Sequence, residues 1–120
     1  MNGVTRIQAV ANVTIDATGT GYCTVTCPSG VRWEVDLTSV STNVSDPTMA
    51  DQPLVSLYLG SAPNAAQFLE GSYSGNRDAS DSHFRLLEGE SLTAQWTGAE
   101  PGLIATLRVS GQQIQIRPGM

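Results

Sequence analysis

The stretch that decides the fold is residues 92–109, which read LTAQWTGAEPGLIATLRV. Its two halves alternate apolar and polar side chains, and a connection at residues 97–102 with two glycines and a proline separates them. A period of two is typical of a strand with one buried face, and glycine and proline favour chain reversal. The sequence therefore predicts an antiparallel hairpin here. Its apolar inner face would consist of Leu92, Ala94, Trp96, Leu103, Ala105, Leu107 and Val109.

Segments with the same alternation recur along the chain, and no segment has a helical pattern of comparable strength. Short strands at regular spacing are typical of a sandwich or barrel. We therefore expect one all-β domain over residues 1–120: an antiparallel, jelly-roll-like β-sandwich of about eight strands. The further strands are predicted at residues 4–15, 22–27, 31–38, 54–59, 83–87 and 112–117.

The third predicted strand, residues 31–38, has the clearest pattern in the first half of the chain. It would direct Trp33 and Leu37 inward and Thr38 outward. The alternation changes phase near residues 39–40, where a bulge or a strand end is expected. Trp33 is thus predicted to anchor the core together with the tryptophan of the opening stretch.

Four other segments break the pattern. Residues 43–52 and 71–82 are expected to form polar loops, the second of them long. Residues 65–70, AAQFLE, fit either a short strand or one helical turn. Gly111 is expected to separate the second strand of the hairpin from the last strand.

Composition excludes several classes of function. The chain has eleven carboxylates, six arginines and no lysine, which gives a net charge of −5. Scattered acidic charge argues against binding a nucleic-acid backbone, which needs clustered cations. No run approaches the ~18 apolar residues of a membrane helix, and residues 1–10 lack the pattern of a secretory signal. We expect a protein made in a cytoplasm that binds neither nucleic acid nor membrane.

The two cysteines, Cys23 and Cys27, fall on one face of the second predicted strand. Four strand residues separate them by about 13 Å, which is too far for a disulfide. They are predicted to be small buried residues. A metal site is the alternative, but the sequence offers no second pair of cysteines or histidines to complete it.

No catalytic constellation is evident. Nucleophilic catalysis needs a base beside a serine or cysteine, and the one histidine, His83, is predicted to lie at the surface or at a strand edge. Paired carboxylates for glycoside hydrolysis would be Asp78 with Asp81, or Glu88 with Glu90. All four fall in predicted turns or loops, where solvation and local hydrogen bonds explain them. We expect no enzyme and no cofactor.

The last candidate for a ligand site in the sequence is a calcium-binding loop. Asn76, Asp78 and Ser80 have the one-three-five spacing of oxygen ligands. The pattern fails at the sixth position, Asp81, where the loop requires glycine, and at the twelfth, Leu87, where it requires glutamate. No metal is therefore predicted, and an irregular calcium site stays open as an alternative.

Residues 71–111 show a family resemblance, which rests on the segments GESLTAQWTGAEPG and ATLRVSG. They resemble small head-associated or minor structural β-sandwich proteins of tailed bacteriophages that infect actinobacteria. The likeness extends loosely to WEVDLTSVST at residues 33–42 and QPLVSLYLG at residues 52–60, and so covers about the last two-thirds of the chain. The absence of lysine agrees with a GC-rich host.

The resemblance implies a virion protein that works by contact, made in the cytoplasm of a bacterial host. The leading expectation is a capsid decoration or stabilising protein, a homotrimer whose partner is the major capsid protein or another virion protein. A tail or tail-tip module that contacts the host is one alternative. A carbohydrate-binding β-sandwich module, which needs outward-facing aromatic residues, is another.

Such a role requires arms or loop tips that grip a neighbour. Residues 1–6 and 112–120 are the predicted arms, and the loops at residues 43–52 and 71–82 are the predicted tips. Tyr58, Tyr73 and Phe84 are the aromatic residues expected at the surface. The predicted contact residues are Val4, Arg6, Met49, Tyr58, Tyr73, Phe84 and Arg117.

Overall fold

The structure, a computed structural model, describes residues 3–45 and 52–116, apart from the side chains of Glu70, Ser72 and Ser82. These residues form eight strands and one short 3₁₀ turn, Ala65–Gln67. No helix in the described ranges has the length and apolar character needed to cross a membrane. The strands are β1 Val4–Thr14, β2 Gly21–Thr26, β3 Val31–Thr42, β4 Leu54–Leu59, β5 Phe68–Ser74, β6 Arg77–Leu86, β7 Ser91–Thr97 and β8 Ile104–Gln115.

The strands form two antiparallel four-stranded sheets that pack face to face. The order is β1-β8-β3-β6 in the first sheet and β2-β7-β4-β5 in the second. Consecutive strands alternate between the sheets in the manner of a jelly roll, except that β4 and β5 pair with each other in the second sheet. The prediction of an all-β, jelly-roll-like sandwich of about eight strands is confirmed.

The predicted hairpin over residues 92–109 is wrong, although both of its strands exist. β7 pairs with β2 and β4 in the second sheet, whereas β8 pairs with β1 and β3 in the first. An alternating sequence indicates only that a strand has one buried face. Two such strands can lie in opposite sheets of a sandwich as well as side by side in one sheet. The connection crosses between the sheets, held by hydrogen bonds from Ala99 N to Gly19 O and from Gly102 N to Ile15 O.

The long loop predicted at residues 71–82 is also wrong. β5 and β6 occupy this region, and Gly75 and Asn76 carry the chain from one sheet to the other. Asn76 is buried and accepts a hydrogen bond from the Thr42 hydroxyl at 2.7 Å, while the Trp96 indole donates to Gly75 O at 2.9 Å. β5 and β6 are edge strands with many polar residues, so their sequences do not show a clear alternation of apolar and polar residues. Upstream, residues 65–70 contain both predicted alternatives, a helical turn followed by strand.

The bulge of β3 lies earlier than predicted. The register with β8 shifts between Val35 and Leu37, so that Asp36 and Leu37 both face outward. Leu37 is 39% exposed, whereas Thr38 is fully buried. The inward position predicted for Leu37 and the outward position predicted for Thr38 are therefore wrong, because the extra residue of a bulge reverses the faces that follow it.

Gly111 does not end a strand, since β8 runs through it without interruption. It lies opposite Val35 at the bulge. A Cβ atom at position 111 would collide with the Glu34 carbonyl oxygen and would lie 2.9 Å from Val35 Cα. Only a residue without a side chain permits the bulged backbone to approach this closely.

The core lies between the inner faces of the two sheets. Both tryptophans are buried as predicted, Trp96 completely and Trp33 to 6% exposure. Ile7, Ala9, Ala11 and Val13 of β1 cover the edge of this core. The largest fully buried apolar side chains are Trp96, Ile15, Leu57, Leu86, Leu92, Leu107, Val40, Val55 and Val109.

The described parts of the two predicted arms are strand. Val4 pairs with Ile114 at the end of the first sheet, and Gln115 N donates to Gly3 O at 2.8 Å. The chain therefore enters and leaves the described part of the sandwich at the same end. Residues 1–2 and 117–120 lie outside the described residues.

We predict that Gly111→Ala destabilises the fold by about 1–3 kcal/mol, because the added methyl group must displace the bulged backbone of β3. Ser110→Ala on the same strand is the control and should change the free energy of unfolding by less than about 0.5 kcal/mol. Urea unfolding followed by fluorescence measures both. Equal stability of the two variants would show that the bulge does not depend on glycine.

Candidate interaction surfaces

The two outer faces of the sandwich differ sharply in charge. The neighbouring strands β2, β7 and β4 contain no charged residue, and β5 contains one, Glu70, whose side chain is outside the described ones. The first sheet, in contrast, contains nine charged side chains along its four strands. They are Arg6, Arg32, Glu34, Asp36, Arg77, Asp78, Asp81, Arg85 and Arg108.

The outer face of β2, β7, β4 and β5, here called the neutral face, carries aromatic residues. Tyr22 is 47% exposed on β2 and Phe68 is 52% exposed on β5. Tyr58 on β4 is half-buried and meets Phe68 edge to face, with ring centroids 5.9 Å apart and ring planes at 72°. Gly71 leaves the space in which the Phe68 ring lies, since a Cβ there would be 3.3 Å from that ring.

Hydroxyl and amide groups lie between these aromatic residues. Tyr22 pairs with Gln95, and Gln95 pairs with Ser56 on the next strand. The Gln95 and Ser56 side chains make no hydrogen bond to any described residue. Thr24 and Thr93 hydroxyls lie 2.7 Å apart, and Thr93 donates to a loop carbonyl at 2.7 Å. The neutral face therefore combines exposed rings with uncharged donors and acceptors.

The opposite face, here called the charged face, is crossed by ion pairs around the β3 bulge. Arg6 Nη1 lies 2.6 Å from Asp36 Oδ2, and Glu34 Oε2 lies 2.9 Å from Arg85 Nε and 3.1 Å from Arg32 Nε. These side chains are 36% to 64% exposed. Pairs this exposed contribute little stability, so their main effect is to fix side-chain positions.

The ion pairs shift the carboxylate pKa values. The hydrogen bond from Arg6 lowers the pKa of Asp36. For Glu34, partial desolvation raises the pKa, but hydrogen bonds from Arg32 and Arg85 outweigh it and the net shift is downward. On the turn after β1, the Thr18 hydroxyl and the backbone N–H groups of Thr18 and Thr20 lower the pKa of Asp16.

The charged face contains a shallow open depression of about 490 Å³ beside the bulge. Glu34, Asp36, His83 and Arg85 line it, together with Gln112. The carboxylates are held ionised by arginine, which makes them weak bases. His83 is exposed on β6, the edge strand, as predicted from the sequence. The described side chains that line the depression include no serine or cysteine.

Of the four carboxylates in the two predicted pairs, three accept hydrogen bonds from backbone N–H groups. Asp78 accepts from Ser74 N and Ala79 N at 2.8 Å each. Glu88 accepts from the backbone N–H of Gly30, and Glu90 from that of Leu87, both at 2.8 Å. Asp78 and Asp81 lie in β6 and not in the loop that was predicted.

No cluster of three or more His, Cys, Asp or Glu side chains able to hold a metal occurs within residues 3–45 and 52–116. The loop proposed for calcium is a two-residue turn followed by strand, and Asn76 Oδ1 accepts from Thr42. In the part of the chain that the structure describes, the one-three-five spacing therefore runs along β6.

Both cysteines are buried and unpaired, as the spacing predicted. Burial raises the pKa of Cys23 to about 11 and also raises that of Cys27. Their thiols contact carbonyl oxygens, Cys23 Sγ to Ala11 O at 3.5 Å and Cys27 Sγ to Val31 O at 3.4 Å. These are packed structural thiols.

A third surface is the outer edge of residues 5–14 of β1, the terminal strand of the first sheet. All eleven residues of β1 pair with β8 in unbroken register. The strand has one charged residue, Arg6, and no glycine or proline. Val4 and Val10 are 42% and 48% exposed. Of the backbone groups along this edge, Ala11 O receives the Cys23 thiol.

The predicted contact residues are scattered over these surfaces. Val4 and Arg6 lie on β1, and Tyr58 lies on the neutral face. Phe84 is half-buried and packs against the core. Tyr73 is buried to 5% exposure, so its predicted position at the surface is wrong: it pairs with the buried Val55 and shares that residue's inward face. Met49 and Arg117 lie outside the described residues.

Sequence reasoning missed Tyr22, Phe68 and Gln95 as surface residues. Alternation places Tyr22 and Gln95 on the outward faces of their strands, because the residues next to them are buried. What it did not provide was the order of the strands, which brings the outward residues of β2, β7, β4 and β5 onto one face.

No family model and no curated protein matches the chain.

We predict that stability is level between about pH 7 and 5 and falls below about pH 4.5. Asp16, Glu34 and Asp36 have lowered pKa values in the folded state, so the unfolded state binds more protons in acid and is favoured there. Asp36→Asn and Arg6→Gln should each make the acid decline shallower. Urea unfolding from pH 7 to 3 measures it, and an unchanged slope in both variants would contradict a role for the pair.

We predict that neither cysteine reacts with a thiol reagent at pH 8 in the folded protein, and that both react in urea. At a pKa of about 11, about one Cys23 thiol in a thousand is ionised at that pH. Ser29→Cys, at an exposed turn position, supplies a control thiol that should react at once. Fast labelling of Cys23 or Cys27 without denaturant would contradict the packing.

Proposed function

We propose that the chain is a structural protein of a phage virion, a capsid decoration protein that stabilises the particle through protein–protein contacts. It would form homotrimers and bind the major capsid protein or a neighbouring virion protein. The proposal rests on the sequence resemblance and on one structural observation, the open edge of β1. A rigid jelly roll with such an edge suits assembly by contact.

The edge of β1 is unusual because long, regular edge strands are templates for pairing with another chain. Natural proteins protect such edges with short strands, bulges or charged side chains. β2 is only six residues long, β5 has two register shifts, and β6 has four charged residues and the bulge opposite β3. β1 has eleven residues, one charge and no register shift.

The chemistry of β1 favours pairing with a further strand. Its outward side chains include Val4 and Val10, both exposed and β-branched, and residues of that type pack well across paired strands. Arg6 is paired with Asp36 on its own chain, so an incoming strand meets no uncompensated charge there. Main-chain hydrogen bonds would supply the attraction, as in other cases of strand addition.

The symmetry of the assembly depends on what β1 meets. Contact of β1 with β1 of a second copy is two-fold and closes as a dimer. Contact of β1 with a different edge of the next copy is head to tail, and it forms a closed ring when the rotation between copies closes and an open filament when it does not. The proposed trimer requires the second arrangement.

The experiment combines light scattering with particle binding. We expect a trimer in solution, or a monomer that trimerises on particles, present in hundreds of copies per particle. Particles that carry the protein should survive to a higher temperature than particles without it. Val10→Lys, which places a charge at the edge, should reduce assembly at least tenfold.

Ile104→Lys is the matched control, because Ile104 is β-branched and 46% exposed but lies on β8, inside the same sheet. It should assemble like the unmodified protein. A protein that stays monomeric and never co-purifies with particles would refute the proposal. A single ring of copies, counted by quantitative gel, would instead place it at the tail or tail tip.

A further inference from the structure

We propose that the neutral face is a binding site for neutral carbohydrate, with Tyr22, Tyr58 and Phe68 as stacking surfaces and Gln95 as a central hydrogen-bonding group. This site lies on the outer side of β2-β7-β4-β5, on the opposite side of the sandwich from the charged face. It is independent of the β1 edge, so the protein could hold a particle through one surface and a glycan through the other.

The aromatic residues provide the apolar part of the site. A pyranose ring presents a face of C–H groups that packs on an aromatic ring, and tyrosine adds a hydroxyl at the rim. Tyr22 and Phe68 are about half exposed and lie on opposite edge strands of the sheet. Three strand spacings, about 14 Å, separate those strands, a span that fits a short oligosaccharide.

The edge-to-face contact between Tyr58 and Phe68 fixes the second of these stacking surfaces. The centroids are 5.9 Å apart, within the range that favours aromatic pairs. Phe68 also lies over Gly71, where any side chain would compete for the space. The ring therefore keeps its position while half of it remains exposed, and a ligand need not order it on binding.

Uncharged polar groups between the rings provide the hydrogen bonds. Gln95 lies beside Tyr22 on the next strand, with Ser56 beyond it. An amide offers both donors and acceptors, which matches the hydroxyls of a sugar. The Thr24 and Thr93 hydroxyls are already bonded to each other at 2.7 Å, so they shape the face more than they bind.

Charge decides the class of ligand. None of β2, β7 and β4 contains a charged residue, and the chain as a whole has a net charge of −5. The described side chains of this face include no cation, so a nucleic acid or an acidic polysaccharide would find none among them and would be repelled by the net negative charge of the molecule. The core of a stable protein interface is usually continuously apolar, whereas here an amide and hydroxyls occupy the centre. A neutral glycan fits both the exposed aromatic rings and the uncharged polar groups of this face.

The test is affinity electrophoresis of the full chain in a panel of neutral polymers, namely α-glucans, β-glucans, mannans and galactans, beside polygalacturonate as the anionic comparison. Titration calorimetry with oligosaccharides of any polymer that binds gives the dissociation constant. We expect binding to at least one neutral polymer and none to polygalacturonate. Tyr22→Ala, Phe68→Ala and Gln95→Ala should each weaken it about two- to tenfold.

Gln112→Ala is the matched control, because Gln112 is an exposed glutamine on the charged face, and it should bind like the unmodified protein. Tyr22→Phe should retain most of the affinity, which separates ring stacking from the hydroxyl. Tyr22 is exposed, so its variants keep the proposal testable if Phe68→Ala perturbs β5.

The proposal is overturned if no neutral polymer binds, if polygalacturonate binds equally well, or if Gln112→Ala weakens binding as much as Gln95→Ala. Loss of particle binding on Tyr22→Ala, with no glycan bound, would also overturn it and would make this face a protein contact. Failure of the glycan test leaves the assembly of β1 unaffected, and the Val10→Lys result leaves the glycan site unaffected.

Discussion

The structure depends on one constraint: β7 and β8 each have a single apolar face, and both faces are buried in the same core from opposite sheets. Leu92, Ala94 and Trp96 of β7, like their counterparts on β8, are completely buried. Since neither strand pairs with the other, each is free to pair on both sides within its own sheet. This makes them internal strands and gives the jelly roll its order.

Once the inner faces are buried, the outer faces can differ without cost to the core. The first sheet carries the charged strands, and ion pairs neutralise much of that charge locally. In the second sheet, β2, β7 and β4 carry no charged residue, and the outer face has exposed rings. The charged face, the neutral face and the β1 edge are therefore three chemically distinct surfaces on one sandwich.

The bulge at Asp36 links local backbone geometry to surface chemistry. It places Asp36 and Leu37 on the same outer face, where Asp36 meets Arg6 of the edge strand. Gly111 permits the approach that the bulge requires. Bulges increase twist locally and often lie where a sheet changes function. At this bulge the pairing of β3 with β6 shifts register, whereas the pairing of β8 with β1 runs in unbroken register.

The sequence by itself determined the β class, the strands of the core and their buried residues, because alternation with period two records directly which side chains leave water. It also determined that the cysteines stay unpaired and that His83 faces solvent. Only the tertiary structure decided that β7 and β8 lie in opposite sheets, that Leu37 and Thr38 exchange sides, that Tyr73 turns inward and that residues 71–82 are two strands joined by a tight turn. The physical reason is that alternation shows which side chains are buried but not which strands pair with them or pack against them. Strand order, bulges and polar edges depend on long-range pairing, and so do the surfaces on which the proposed contacts lie.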